Sequence, residues 1–116
     1  PDVSVLCGKP SYYAGRRDII TNPILVAEVL SPSTEAYDRS DKWASYQTIP
    51  TLQHSLLLSA DRVRIELYTR EDQGWHFASY EGEDSQMLLS RLDVTLALSD
   101  IYSLVEFDDG QNQPLE

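Results

Sequence analysis

The chain has one cysteine, two histidines, two phenylalanines and nine basic side chains among its 116 residues. Each scarcity excludes something. A lone Cys7 cannot close an internal disulfide, which fits a reducing cytoplasm and not a disulfide-stapled secreted scaffold. Cys7 has no obvious basic activator, so a loop or packing role outweighs a nucleophilic one. Cys7, His54 and His76 do not form a zinc-ligand spacing. Ser31 or Ser33 with a histidine suggests hydrolase chemistry only weakly, because no G-x-S-x-G elbow is present and no acid partner is placed. Helix caps and surface histidines are the simpler expectation for them. No run approaches the roughly 20 apolar residues of a membrane span, and no basic-then-apolar leader opens the chain. There are no internal repeats and no low-complexity core segments. The chain starts on Pro-Asp-Val and not on Met, so upstream elements are expected to be missing.

Acid is what the chain has in excess. Nineteen Asp and Glu against nine Lys and Arg give a net charge of -10. The imbalance is concentrated in the second half, with Glu81, Glu83, Asp84, Asp108 and Asp109; residues 1–60 nearly balance. Such a surface repels phosphate backbones and argues against tight non-specific DNA binding. Bound cations change that field locally, so nuclease chemistry is not excluded.

Hydrophobic residues make up 41% and charged residues 24%, as in ordinary globular domains. At this length one core is expected. Residues 1–105 are expected to form one domain, and 106–116 a flexible acidic tail. Residues 2–6 read as a short strand, and 9–22, with Pro10 and Gly15, as a loop. Ile24–Leu30 (ILVAEVL) is the most apolar run, suited to a strand covered on both faces. Ser31-Pro-Ser-Thr34 ends it and offers a cap to a helix over 35–48, with Glu35 suiting the helix dipole. A second apolar strand follows over 52–59, and the strand-helix-strand unit implies a parallel pair with a right-handed crossover. Residues 62–69 and 75–80 alternate as a hairpin around 70–74, 93–98 is a last strand, and Ser99-Asp100 caps a short helix to Val105. The expected fold class is α/β, a mixed β-sheet with a flanking helix.

Glu28 is the anomaly. It is the only charge inside ILVAEVL, and an unpaired carboxylate in a buried strand costs several kcal/mol. It must be paired, protonated or bound to a cation. Asp2, at the start of another strand, reaches the same place if the strands are neighbours, and two converging carboxylates invite a hard divalent ion. Asp38, Lys42 and Tyr46 share one helix face at i, i+4, i+8. A lysine there, near a cation and an oriented water, makes the arrangement that metal-assisted phosphodiester hydrolysis uses. Plainer readings compete: Glu28 paired to Lys42 or an Arg for structure alone, Asp2 as a frayed strand end, Lys42 as a surface ion pair with Asp38, and Tyr46 as core. Trp43 and Trp75 read as core or interface anchors, and Arg16-Arg17 as a solvated loop, with phosphate contact the alternative.

PDVSVL, NPILVAEVLSPST, YDRSDKWASY and IPTLQHSLLLS together resemble a bacterial family of restriction endonucleases, formerly a domain of unknown function, within the PD-(D/E)XK nuclease superfamily. The resemblance runs from Pro1 to about Tyr102. It implies a restriction-endonuclease-like fold and a Mg2+- (or Mn2+-) dependent endonuclease acting on DNA in the cytoplasm. By resemblance, Asp2 and Glu28 ligate metal with the Val29 carbonyl, and Lys42 and Tyr46 complete the catalytic set. The superfamily's lysine, two places after the Glu, is replaced here by Leu30, and Lys42 on the helix is the matching residue. A catalytically weak or inactive module, acting as an oligomeric binding or regulatory protein, is the alternative. A homodimer is compatible with the added hairpin and C-terminal strands.

Overall fold

The computed structural model describes residues 1–14, 16–103 and 105, without the side chains of 17–19. The expected acidic tail at 106–116, and the Arg17 side chain, lie outside the described residues. A five-stranded mixed sheet in the order β1-β4-β5-β6-β7 is the centre of the fold. It is built from β1 (Val3–Leu6), β4 (Pro23–Leu30), β5 (His54–Ser59), β6 (Arg64–Glu71) and β7 (Gly74–Glu81). β4 and β5 run parallel, as a strand-helix-strand unit requires, and the other neighbours are antiparallel.

Several boundaries differ from the sequence reading for physical reasons. The stretch read as a loop folds on itself as a small pair, β2 (Tyr12–Tyr13) with β3 (Arg16–Ile20). Asn22 closes it from the side, its Oδ1 accepting from the Ser11 N–H and its Nδ2 donating to Lys9 O. β6 and β7 extend further into the connection than alternation suggested. Their last pair is Glu71↔Gly74, leaving a two-residue turn. Gly74 sits at φ 144°, where a side chain would be strained. An unforeseen strand, β8 (Gln86–Leu89), pairs antiparallel with β9 (Val94–Ala97). Its four residues are flanked by polar turns and show too little periodicity to stand out. The last helix, α3 (Leu98–Ile101), is preceded by Ala97 and has no side-chain cap, so Ser99 and Asp100 lie inside its first turn and do not cap it.

The helix between β4 and β5 is continuous but not uniform. α1 (Glu35–Tyr37) runs into a π-helical turn (Asp38–Lys42) and then α2 (Trp43–Tyr46). Its start is held by the Ser31 carbonyl, which accepts from the Thr34 and Glu35 N–H groups, and not by a hydroxyl cap. Proline at position 50 and a turn at 47–49 end it.

Pairing divides the sheet into two faces. Leu25, Ala27, Leu56, Ile65 and Leu67 point one way and pack with Met87 and Leu89 from β8, Leu98 from α3 and Tyr102 just after it. Each fully buried aliphatic side chain here contributes about 1.5–3 kcal/mol. The Tyr102 hydroxyl donates to the Ser59 and Arg64 carbonyls and ties this layer to the strand ends. His54, expected at the surface, is fully buried on this side. Its Nε2 accepts from the Arg91 N–H at 3.1 Å, so its Nδ1 carries the proton toward Thr69 Oγ1. Burial, followed by the Arg91 charge, lowers its pKa. His76 is exposed, as is Cys7. The opposite face of the sheet carries Glu28 and Glu66, and the helix lies over it.

Candidate active site on the helix-covered face

Strand pairing sets the positions of the carboxylates. Glu28 is opposite Leu57, and Leu57 is opposite Glu66, so both acids stand in one row on one face. Glu28 is only 3% exposed, in keeping with its place in the most apolar strand. β1 ends beside it. The Asp2 N–H donates to Ala27 O at 3.0 Å, and the Asp2 carboxylate accepts from the Val29 N–H at 2.7 Å. Asp2 therefore brackets Glu28, bonding to the residues on either side of it. Its carboxylate takes the place that the backbone of a longer strand would have filled.

The helix supplies the partners. Lys42 Nζ lies 3.1 Å from Glu28 Oε1 and 3.4 Å from Asp38 Oδ1. The Tyr46 hydroxyl donates a hydrogen bond to Glu28 Oε2, with the Pro1 nitrogen 3.5 Å from the same oxygen. The i, i+4, i+8 face of Asp38, Lys42 and Tyr46 thus meets the sheet at the one charge in ILVAEVL. Of the plain readings, the surface pair between Lys42 and Asp38 exists, but it is turned inward onto Glu28.

Desolvation pulls the Lys42 pKa down, yet the hydrogen bonds and charges of Glu28 and Asp38 outweigh it, and the net shift is upward. The ammonium is held charged. Burial raises the Tyr46 pKa, and the negative charge of Glu28, Asp38 and Asp2 adds to the rise, so the phenol keeps its proton. Asp38 is 4% exposed. Its Oδ2 accepts from Thr34 Oγ1, whereas its buried Oδ1 makes no hydrogen bond and has only the ion pair to Lys42. A π-helical turn often marks a functional segment, and this one carries Asp38, Arg39 and Lys42 together.

A second ionic cluster escaped the sequence reading. Glu66 receives both terminal nitrogens of Arg39, at 2.6 and 2.9 Å, while Arg39 Nε holds Glu35 at 2.7 Å and Arg64 approaches Glu66 at 3.3 Å. The Arg39 hydrogen bond, opposed by desolvation and helped by the charges of Arg39 and Arg64, lowers the Glu66 pKa. The signal available was an acid and two bases, Arg39, Arg64 and Glu66, near apolar positions. The alternation of β6 disguised Glu66 as a solvent-facing residue. Farther along the same face, Trp43 stacks on Tyr68 at 4.3 Å and meets Trp75 edge-on at 4.9 Å, so both tryptophans anchor the helix.

The oxygen donors are of the hard type that Mg2+ and Mn2+ prefer. Among the described residues, no three His, Cys, Asp or Glu side chains gather closely enough to form an all-protein cage. Asp2 and Glu28 instead offer the one or two carboxylates with which Mg2+ is commonly held, the rest of its shell being water and substrate oxygen. A cation there would share Glu28 with Lys42 and Tyr46. The donors fit such an ion in kind, on a carboxylate that is almost fully buried and already bonded at both oxygens.

Comparison with known proteins gives the context. The family model Uma2, described as "Putative restriction endonuclease", matches residues 1–99. An uncharacterized Synechocystis sp. protein, slr1290, is 42% identical over 108 residues, covering 92% of this chain and 55% of its own length. A second from the same organism, sll1609, is 35% identical over 95 residues, covering 81% of this chain and 54% of its own length. The chain therefore spans about half the length of the curated relatives it matches. The crystal structure of a "putative nuclease belonging to DUF820" from Anabaena variabilis superposes with a TM-score of 0.56 at 15% identity, over 73% of this chain and 46% of that one. That likeness establishes the mixed α/β nuclease-like fold. No helix among the described residues is long and apolar enough to cross a membrane.

Proposed function

The chain belongs to the Uma2 family, and from that membership and the Glu28 cluster we propose that it acts as a metal-dependent endonuclease on DNA. The observation that carries this reading is a buried carboxylate bracketed by Asp2 and met by a charged lysine and a protonated tyrosine. Asp2 and Glu28, with the Val29 carbonyl, would hold Mg2+ or Mn2+. The bound ion supplies Lewis acidity and a more acidic water.

The chain's own residues do the rest. Lys42 stays protonated, so it is no general base. Its ammonium offsets negative charge developing on the scissile phosphate and helps to orient the attacking water. Tyr46 keeps its proton and fixes Glu28 from the other side, which leaves one carboxylate orientation available. Asp2, fastened to the Val29 N–H, holds the end of β1 against the site.

One observation favours a second reading. Both Glu28 oxygens already have partners in Lys42 and Tyr46, and the net charge is -10. A nuclease-fold module with little cleavage, acting as a binding protein, needs no free carboxylate oxygen to activate water at such a site. Calorimetric titration of Mn2+ into the full-length protein and its Glu28→Gln variant, together with nicking of supercoiled plasmid in Mg2+, Mn2+ and EDTA, separates the two. The nuclease predicts metal binding and nicking, both lost in Glu28→Gln. Metal binding without nicking would support the module, and absence of both would leave an ionic clasp.

A further inference from the structure

Three of the nine basic side chains, Arg39, Arg62 and Arg64, line one cavity of about 320 Å³ in a chain that is otherwise strongly acidic. The cavity opens at the carboxyl ends of the parallel pair β4 and β5, beside Ser31 and Ser59, where ligands settle in open α/β sheets. Its volume lies at the lower end of that for small-molecule sites and suits a single nucleotide.

The arginines are not equivalent. Arg39 gives each of its three guanidinium nitrogens to Glu35 or Glu66. Arg64 gives one nitrogen to Glu66 at 3.3 Å, and a guanidinium has five N–H donors, so most of its donors remain for a ligand. Arg62 is held only loosely, 3.7 Å from an exposed Glu81. Glu66 thus aims two guanidinium groups while neutralising one. Glu35, Asp61 and Glu66 also line the walls, equal in number to the arginines, and weigh against a small free anion. The near wall of the cavity, Leu30, is two residues beyond Glu28 on the same face of β4, roughly 7 Å along the strand, and Arg64 reaches in from β6, two strand spacings or roughly 10 Å across the sheet.

We propose that this cavity is a nucleotide subsite in which Arg64 and Arg62 hold the phosphate next to the one cleaved at Glu28. The assignment rests on the phosphodiester-cleaving reading of the Glu28 site. Arg39 and Glu66 act here as positioning residues that keep Arg64 turned into the cavity.

The test uses the full-length protein in EDTA, so that binding is read without cleavage. Deoxyadenosine 3′,5′-bisphosphate is titrated while side-chain Nε–H resonances of the arginines are followed by NMR. The expected result is saturable shifts at Arg64 and Arg62, with affinity weakened roughly tenfold in Arg64→Gln and less in Arg62→Gln. Glu28→Gln should leave this binding intact. Because Arg62 is exposed, Arg62→Gln keeps the test valid if Arg64→Gln folds poorly. No shift at either arginine, unchanged affinity in both variants, or equally tight binding of inorganic phosphate would overturn the proposal. If the bisphosphate binds as expected but the protein never nicks DNA with Mg2+ or Mn2+, the subsite stands and the cleavage reading falls.

Discussion

Lys42→Met tests the central interaction directly. The substitution keeps the aliphatic stem and removes the ammonium that lies 3.1 Å from Glu28. Removing one partner of a fully buried ion pair costs about 3–5 kcal/mol, because the remaining charge is left without compensation. Glu28 is buried, but the Lys42 side chain is 30% exposed, so water takes up part of the loss. Tyr46 continues to donate to the other oxygen. The expected destabilisation is therefore about 2–3 kcal/mol, a downward shift of the urea midpoint on the order of 1–2 M. Glu28→Gln leaves a partly exposed lysine that can hydrate and still pairs with Asp38, and should cost about 1 kcal/mol. Asp38 loses its cation in Lys42→Met and in the double variant alike, so that cost cancels in the cycle, and a coupling of about 1–2 kcal/mol should appear between Lys42 and Glu28. Equilibrium urea unfolding followed by circular dichroism measures all four proteins. A Lys42→Met protein within 0.5 kcal/mol of the wild type, or a coupling near zero, would refute the claim that Lys42 compensates a buried charge.

Three further outcomes are expected. The folded-state pKa of His54 is lowered by burial, so at pH above 6.5 its contribution to stability is fully present; as pH falls below that ordinary value the unfolded chain takes up the proton first, and thermal unfolding should move down until the folded histidine also protonates. Glu66 is lowered by Arg39, so its contribution is present above the ordinary value of 4.5 and lost as pH falls through its depressed one; Arg39→Met should flatten that acid limb and cost about 1–3 kcal/mol in the same urea assay. Leu98→Ala empties a fully buried position between α3 and the sheet and should cost about 2–5 kcal/mol by calorimetric unfolding.

How much of this was legible depends on whether a residue broke its local pattern. Glu28 did, as the single charge in an apolar run, and its burial and partners followed from that. The parallel pairing of β4 and β5 was equally legible, since a helix between two apolar strands leaves few alternatives. The β2–β3 and β8–β9 pairs were not, because strands of two to five residues carry almost no periodicity and are fixed by contacts such as the Asn22 bonds to Ser11 and Lys9. His54 misled for a related reason. A histidine is most often at the surface, and only its distant partners Thr69 and Arg91 make burial affordable.

Glu66 shows where the inference has to change. Strict alternation in β6 sets Arg64, Glu66 and Tyr68 on the face opposite Val63, Ile65 and Leu67, a pattern that ordinarily marks a wet face. That face is covered by a helix whose underside carries matching charge. Arg39 reaches Glu66 and, three residues on, Lys42 reaches Glu28, two strand spacings or roughly 10 Å away across the same row. Two cations that close on a helix span that distance because their side chains are long and diverge, and because the turn between them is π-helical and one residue wider. The sheet's charged row and the helix's cations are thus one design. Each acid would be too costly without the helix, and the helix, with no buried apolar residue in α1, the π turn or α2, would have little to hold it to the sheet without the acids and the Trp43–Tyr68 stack. The proposed catalytic cluster at Glu28 stands in that row and the proposed phosphate subsite at Arg64 two residues from Glu66 on the same face, both tied to this helix, which is why a single helix displacement should impair both together.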